Sequence, residues 1–231
     1  MKKCYIVGAG DFFGSITPCQ DDLVIAADGG VDVLVKLGIV PDVIVGDFDS
    51  VGKESEISAY ADTRVKLCEG ASPISEKISL FGKSVDVFRY PVMKDETDMY
   101  LAYEIGASRG YTEFELCGGV GGREDHTFAN YCLLLRAKND KNNLTLVGNG
   151  TKTFVIKNEK KTVFGSEGAT VSVFAFGGEC QGVSICGLKY EAESISLAPS
   201  RPLGVSNSCL SSGKGEIEVR EGALLTVVYD K

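Results

Sequence analysis

Tryptophan is absent from the 231 residues, and histidine occurs once. A lone imidazole cannot complete a Cys/His zinc set, and the eight cysteines include no CxxC pair. Nor is there a GxxxxGK[ST] stretch, which removes a P-loop phosphate site. No apolar run approaches the length of a membrane span. The start, Met-Lys-Lys-Cys-Tyr-Ile-Val-Gly, enters a strand with no secretory apolar region before it. A reduced cytoplasmic protein without a membrane partner is expected. Basic residues are in the minority: 24 Lys and Arg against 32 Asp and Glu leave a net charge of −8, which argues against a nucleic-acid surface. An acidic surplus serves solubility first, and it also suits a cationic small molecule. Cys4, Cys117 and Cys132 fall inside apolar runs, where a free cysteine behaves as a small hydrophobe.

What is present is core-forming material, 44% hydrophobic, enough for one large domain or two smaller ones. The first half alternates strand and helix signals. Apolar runs at 4–8, 23–27, 43–45, 85–90 and 114–117 read as buried strands. Val31, Leu34, Val35 and Gly38 fall at helical spacing, Thr97 can cap a helix running to Gly106, and Phe128, Tyr131, Cys132 and Leu135 mark a core-facing helix. Such alternation predicts a doubly wound, mainly parallel sheet. From about residue 150 the pattern becomes short β-rich runs (153–156, 170–176, 217–219, 224–228) broken by glycines. A small antiparallel β-sandwich or barrel is expected there. The expected domains are 1–148, α/β, and 149–231, all-β.

Three acidic stretches follow the apolar strands: Gly46-Asp47-Phe48-Asp49-Ser50, Lys94-Asp95-Glu96-Thr97-Asp98 and Gly121-Gly122-Arg123-Glu124-Asp125-His126. Strand carboxyl ends form the rim where open α/β sheets bind ligands, so these carboxylates are placed to share one cleft. On an extended segment Asp47 and Asp49 would point the same way and could reach one metal, although Asp and Ser also close turns. Asp28-Gly29-Gly30 and Asp98 face the same choice between a ligand site and an ordinary helix start. Arg123 is different: an arginine in the glycine-rich loop Gly118-Gly119-Val120-Gly121-Gly122 is suited to oxyanions. Three uses are open to Asp125, as metal ligand, general base or helix cap. Gly8-Ala9-Gly10 with Gly14 is only a weak dinucleotide pattern. Carboxylates for Mg²⁺, with Arg and backbone N–H groups for phosphate, imply a metal-dependent phosphoryl or pyrophosphoryl transferase.

Taken together, the chain resembles the thiamine pyrophosphokinases. The likeness runs through ADGG at 27–30, LGIVPDVIVGDFDS at 37–50, KDETD at 94–98, GGREDHTFAN at 121–130, GLKY at 187–190 and GVSN at 204–207. It implies an α/β nucleotide domain, a β-sandwich thiamine domain, and a homodimer with active sites near the subunit interface. The implied reaction is Mg²⁺-dependent transfer of the pyrophosphoryl group of ATP to the hydroxyethyl oxygen of thiamine, releasing AMP. Asp47, Asp49 and Asp98 would bind the metal, with Asp28 a fourth acid nearby. Gly118, Gly119, Gly121, Gly122, Arg123 and Thr97 would hold the nucleotide. Asp125 would accept the alcohol proton or join the metal, and Ser206 and Asn207 would contact thiamine. Two departures from the family pattern stand out. The 51–91 stretch is long, with strand-like residues at Arg64-Val65-Lys66-Leu67, and no tryptophan is available to stack on thiamine. Rival readings keep the chemistry with another alcohol, such as a hydroxymethylpterin, or keep the site as a sensor without turnover.

Overall fold

The computed structural model describes residues 2–48 and 74–230. Asp49 and the expected strand at 64–67 lie outside the described residues. The chain divides into two compact units, Met1–Asn130 and Tyr131–Lys231. No helix among the described residues is long and apolar enough to cross a membrane.

The first unit is built on strands β1 (Lys3–Val7), β2 (Leu23–Ala27), β3 (Val43–Gly46), β4 (Ile74–Leu80), β5 (Lys83–Arg89) and β6 (Glu113–Cys117). Their order is β6-β1-β2-β3-β5-β4, parallel throughout except for β4. β1, β2 and β3 are nearly continuous apolar runs because they are covered on both faces; Ile6, Ile25 and Val45 are completely buried. β4 was not evident in the sequence. Its residues ISEKISL are mostly exposed, as an edge strand allows, and it joins β5 through a tight turn with positive φ at Phe81 and Gly82.

Helices α1 (Gly30–Lys36), α2 (Asp98–Ser108) and α3 (Glu124–Asn139) follow β2, β5 and β6. The Thr97 hydroxyl caps α2 by accepting from the Tyr100 N–H at 3.2 Å. α2 buries Leu101, Ala102 and Tyr103, the last packing its ring 5.0 Å from that of Phe114. In α3 the expected face is reversed. Leu133, Leu134 and Ala137 are buried together with Asn130, whereas Phe128 and Cys132 are exposed. The two sets differ by two positions, about 200° of helical rotation. Asn130 anchors this face: its buried amide donates to the Gly119 carbonyl at 2.7 Å, a polar contact that apolar periodicity does not count. Cys4 and Cys117 are buried as expected, and desolvation pushes the Cys117 thiol up to about 12.

Strand order places the sheet's turning point between β1 and β6. The chain proceeds from β1 outward through β2, β3 and β5, then returns to the opposite side of β1 as β6. The loops leaving the carboxyl ends of β1 and β6 meet at this turning point, the place where open α/β sheets form their ligand crevice.

The second unit carries two antiparallel sheets. One has the order β13-β10-β15-β8-β7, from Gly204–Ser208, Thr170–Ala175, Ala223–Tyr229, Thr151–Lys157 and Asn143–Gly148. The other is β12-β11-β14-β9, from Ala192–Leu197, Cys180–Cys186, Lys214–Glu218 and Lys160–Phe164. Ile156, Val171, Val173, Leu224 and Val228 from the first sheet pack with Val163, Val183, Ile185, Leu197 and Ile217 from the second. This is the core of a β-sandwich, formed by alternate residues facing inward.

Candidate active site

The crevice is a cavity of about 670 Å³ within the first unit, in the size range of small-molecule sites. Gly8-Ala9-Gly10, leaving β1, and Gly118-Gly119, leaving β6, form part of its wall. The two loops run backbone to backbone, with Gly10 N–H donating to the Gly118 carbonyl at 3.0 Å. Gly118 has φ +66°, and a Cβ there would lie 2.4 Å from the Gly8 carbonyl oxygen. Gly118→Ala is thus expected to cost about 1–3 kcal/mol through overpacking and backbone strain. Urea denaturation checks this, and an unchanged midpoint would show that the two loops can separate freely.

Asp28, Asp47 and Asp98 come from the ends of β2 and β3 and the first turn of α2. Each offers a carboxylate oxygen within 4.8 Å of the others. Gly46 makes this convergence possible: at φ +152°, a Cβ on it would press 3.1 Å from the Asp28 Cα, so only glycine lets the two strand ends lie so close. Asp28 itself holds φ +48°, and Phe48 holds φ +63°. Phe48 is thus not in an extended conformation, and Asp49, the other half of the expected pair, lies outside the described residues. A buried phenylalanine seldom adopts this conformation; the Arg89 guanidinium, 5.0 Å from its ring centroid, packs against it. Such strain belongs where surrounding structure holds it in place, often at functional sites.

Lys94 also enters the cluster, with its ammonium 3.0 Å from Asp98 Oδ1 and 3.7 Å from Asp47 Oδ2. Thr97, Gly121, Gly122, Arg123 and His126 complete the relevant wall. Arg123 is exposed and grips Asp125 with both arms, Nε to Oδ1 at 3.1 Å and an Nη to Oδ2 at 2.6 Å. This pairing holds the Asp125 carboxyl below the usual carboxylate range. Asp125 stands outside the three-acid cluster. The geometry therefore offers hard oxygen donors at one end of the cavity, and glycine backbone with a planar guanidinium along its wall.

Two family models match the chain: "Thiamin pyrophosphokinase, catalytic domain" over residues 19–146, and "Thiamin pyrophosphokinase, vitamin B1 binding domain" over residues 153–224. The chain belongs to the thiamin pyrophosphokinase family. A curated thiamine pyrophosphokinase of Bacillus subtilis (strain 168) is 24% identical over 239 residues, covering 98% of each chain. Among solved structures, thiamine pyrophosphokinase from Bacillus subtilis has a TM-score of 0.80 at 20% identity, covering 99% of both chains. That from Geobacillus thermodenitrificans has a TM-score of 0.77 at 24% identity, covering 99% of this chain and 98% of that one.

Within the part matched by the vitamin B1 binding model, Ser206 and Asn207 occupy different environments. Asn207 is buried; its Oδ1 accepts from the N–H groups of Tyr190 at 2.9 Å and Ser208 at 2.8 Å, and its Nδ2 donates to the Tyr190 carbonyl at 2.6 Å. The amide thus clamps the backbone that carries Tyr190. Ser206 is exposed, at φ +62°, with its N–H donating to Ser172 Oγ at 3.0 Å. Tyr190 is 61% exposed, and the Lys189 ammonium lies 5.4 Å from its ring centroid.

Two contributors to the cavity wall, Gly8-Ala9-Gly10 and Lys94, carried little signal in the sequence. Gly8-Ala9-Gly10 was legible only as a weak dinucleotide pattern, but it lies at the sheet's turning point. Lys94 lies before α2, so no helical spacing in the sequence links it to Asp98.

Proposed function

We propose that this chain is an ATP-dependent thiamine pyrophosphokinase, that residues 1–148 carry the nucleotide and metal chemistry, and that residues 149–231 bind thiamine. The observation that carries the reading is the convergence of Asp28, Asp47 and Asp98 beside a glycine loop and Arg123 in one cavity, in a chain of this family.

The donor set fits Mg²⁺: oxygen-only, carboxylate-rich, with the Asp28 and Asp98 Oδ1 atoms shielded from solvent. Asp47 and Asp98 would hold the ion with Asp28 beside them, and Asp49 completes the proposed set on sequence grounds. When bound, Mg²⁺ neutralises phosphate oxygens that otherwise repel the incoming alcohol. The Gly118–Gly122 loop and Arg123 orient the polyphosphate and take up its remaining charge. Thr97 contributes by fixing the start of α2, and so the position of Asp98. The hydroxyethyl oxygen of thiamine forms a bond to Pβ, the bond from Pβ to the oxygen bridging it to Pα breaks, and AMP leaves with that electron pair. Asp125, anchored to Arg123 in the described structure, sets the guanidinium's starting position and is the candidate acceptor of the alcohol proton.

For thiamine, Ser206 supplies an exposed hydroxyl, and Tyr190 supplies the aromatic surface that a tryptophan-free chain needs. The Tyr190 ring already receives a cation, Lys189, as it would a thiazolium. Ser206→Ala and Tyr190→Ala are expected to raise the KM for thiamine about tenfold while the KM for ATP stays put. Asn207→Ala should instead lower the melting temperature, because its amide spans three backbone groups. Equal effects of the Ser206 and Tyr190 substitutions on both substrates would remove these residues from the acceptor site. A homodimer is proposed, to be read by light scattering, and a cytoplasmic location accords with the free cysteines among the described residues. The direct test of the function is a panel of alcohols, thiamine and a hydroxymethylpterin among them, scored by AMP release. Thiamine is expected to lead, and preference for another alcohol would reassign the acceptor.

A further inference from the structure

We propose that Lys94 is the exchangeable counter-ion of the carboxylate cluster, a positioning residue whose ammonium competes with the divalent cation for Asp47 and Asp98. The inference rests on the metal reading above and adds a residue that opposes metal entry.

The geometry sets Lys94 apart from a surface ion pair. Its side chain is 11% exposed and its Asp47 partner's 10%. Lys94 precedes α2, so its four-residue spacing to Asp98 does not arise from a shared helical surface. It lines the same cavity as the three acids. Three carboxylates with oxygens inside 4.8 Å repel one another strongly where water is scarce, and an ammonium at 3.0 and 3.7 Å relieves that repulsion. A divalent cation would satisfy the same charges. Both cations cannot be held equally by two carboxylates, so each weakens the other's hold. Lysine suits an exchange of this kind: it is a compact charge on a flexible four-carbon stem, able to turn away without breaking a bidentate fork.

Two consequences of opposite sign follow from removing the charge. Without Lys94 the protein stripped of metal loses stability, because the crowded carboxylates lose the ammonium that faces Asp47 and Asp98. The same protein binds the divalent cation more tightly, because the competitor is gone and the site is one unit more negative. A lysine that merely packed would produce the first effect without the second.

The test titrates MgCl₂ into wild type, Lys94→Met and Lys94→Arg by calorimetry, with no nucleotide present and melting temperatures recorded alongside. Lys94→Met is expected to bind Mg²⁺ roughly tenfold more tightly, a Coulombic effect between the water and protein-surface limits. Its melting temperature should be below wild type when stripped with chelator, and the gap should close as Mg²⁺ is added. Lys94→Arg keeps the charge, so its stripped melting temperature should stay near wild type and its Mg²⁺ binding should be no tighter than wild type. Should Lys94→Met precipitate once stripped, Lys94→Gln gives the same comparison. Unchanged or weaker Mg²⁺ binding in the neutral variants overturns the proposal while leaving the metal site standing. An Asp98→Asn control separates the two readings: if wild-type binding does not depend on Asp98, the metal reading falls and this proposal with it.

Discussion

Asp98→Asn is expected to lower pyrophosphoryl transfer on the order of 10³-fold or more, and Asp47→Asn similarly, with the fold intact. Asparagine keeps the shape of the side chain and loses the charge on which a hard cation depends. Both residues lie in the three-acid cluster, with Asp98 in the first turn of α2 and Asp47 just beyond β3, so neither substitution opens a cavity in the core. Removing one of several crowded negative charges should leave the melting temperature of metal-stripped protein near wild type. Steady-state rates at limiting and saturating Mg²⁺, with circular dichroism as the control, check this. Wild-type turnover by both variants at limiting Mg²⁺ would detach the cluster from catalysis.

Arg123→Lys is expected to cost about 10²–10³ in rate even though the positive charge is retained. In the structure, the guanidinium already spans both oxygens of Asp125, the same planar fork that fits two oxygens of a phosphate. A lysine ammonium offers a point charge in its place. Arg123 is exposed and packs no core, so the loss should fall on kcat and on ATP affinity, with stability unchanged. Near-normal turnover in Arg123→Lys would reduce the residue to general electrostatics. Both substitutions test the same idea, that the site works by placing charge around a polyphosphate.

Much of this arrangement is written in the chain, because burial on both faces forces strands such as Val43-Ile44-Val45 to be continuously apolar and so makes them easy to read. The acids after those strands follow from the same logic, since a strand's carboxyl end must emerge at the rim. Other features depended on partners distant in sequence. The edge strand Ile74–Leu80 carries alternating polar residues and mostly exposed side chains, so burial leaves little trace in it. The buried face of α3 includes Asn130 reaching the Gly119 carbonyl, a contact with no apolar signature. The left-handed turn at Phe48 opposes the residue's own preference and is supported by Arg89, which lies 41 positions away in the sequence. The weak Gly8-Ala9-Gly10 pattern gained meaning only when the strand order placed it against Gly118.

The bond of ATP that breaks, and the destination of its phosphorus, distinguish pyrophosphoryl transfer from other phosphoryl transfer. Incubation with thiamine, Mg²⁺ and ATP labelled at the β-phosphorus, followed by separation of all products, tests for pyrophosphoryl transfer most directly. AMP and thiamine diphosphate are expected in equal amounts, with the label entirely in thiamine diphosphate at the phosphorus attached to the hydroxyethyl oxygen. Labelled ADP formed together with unlabelled thiamine monophosphate, or AMP release that does not depend on thiamine, would contradict pyrophosphoryl transfer to thiamine.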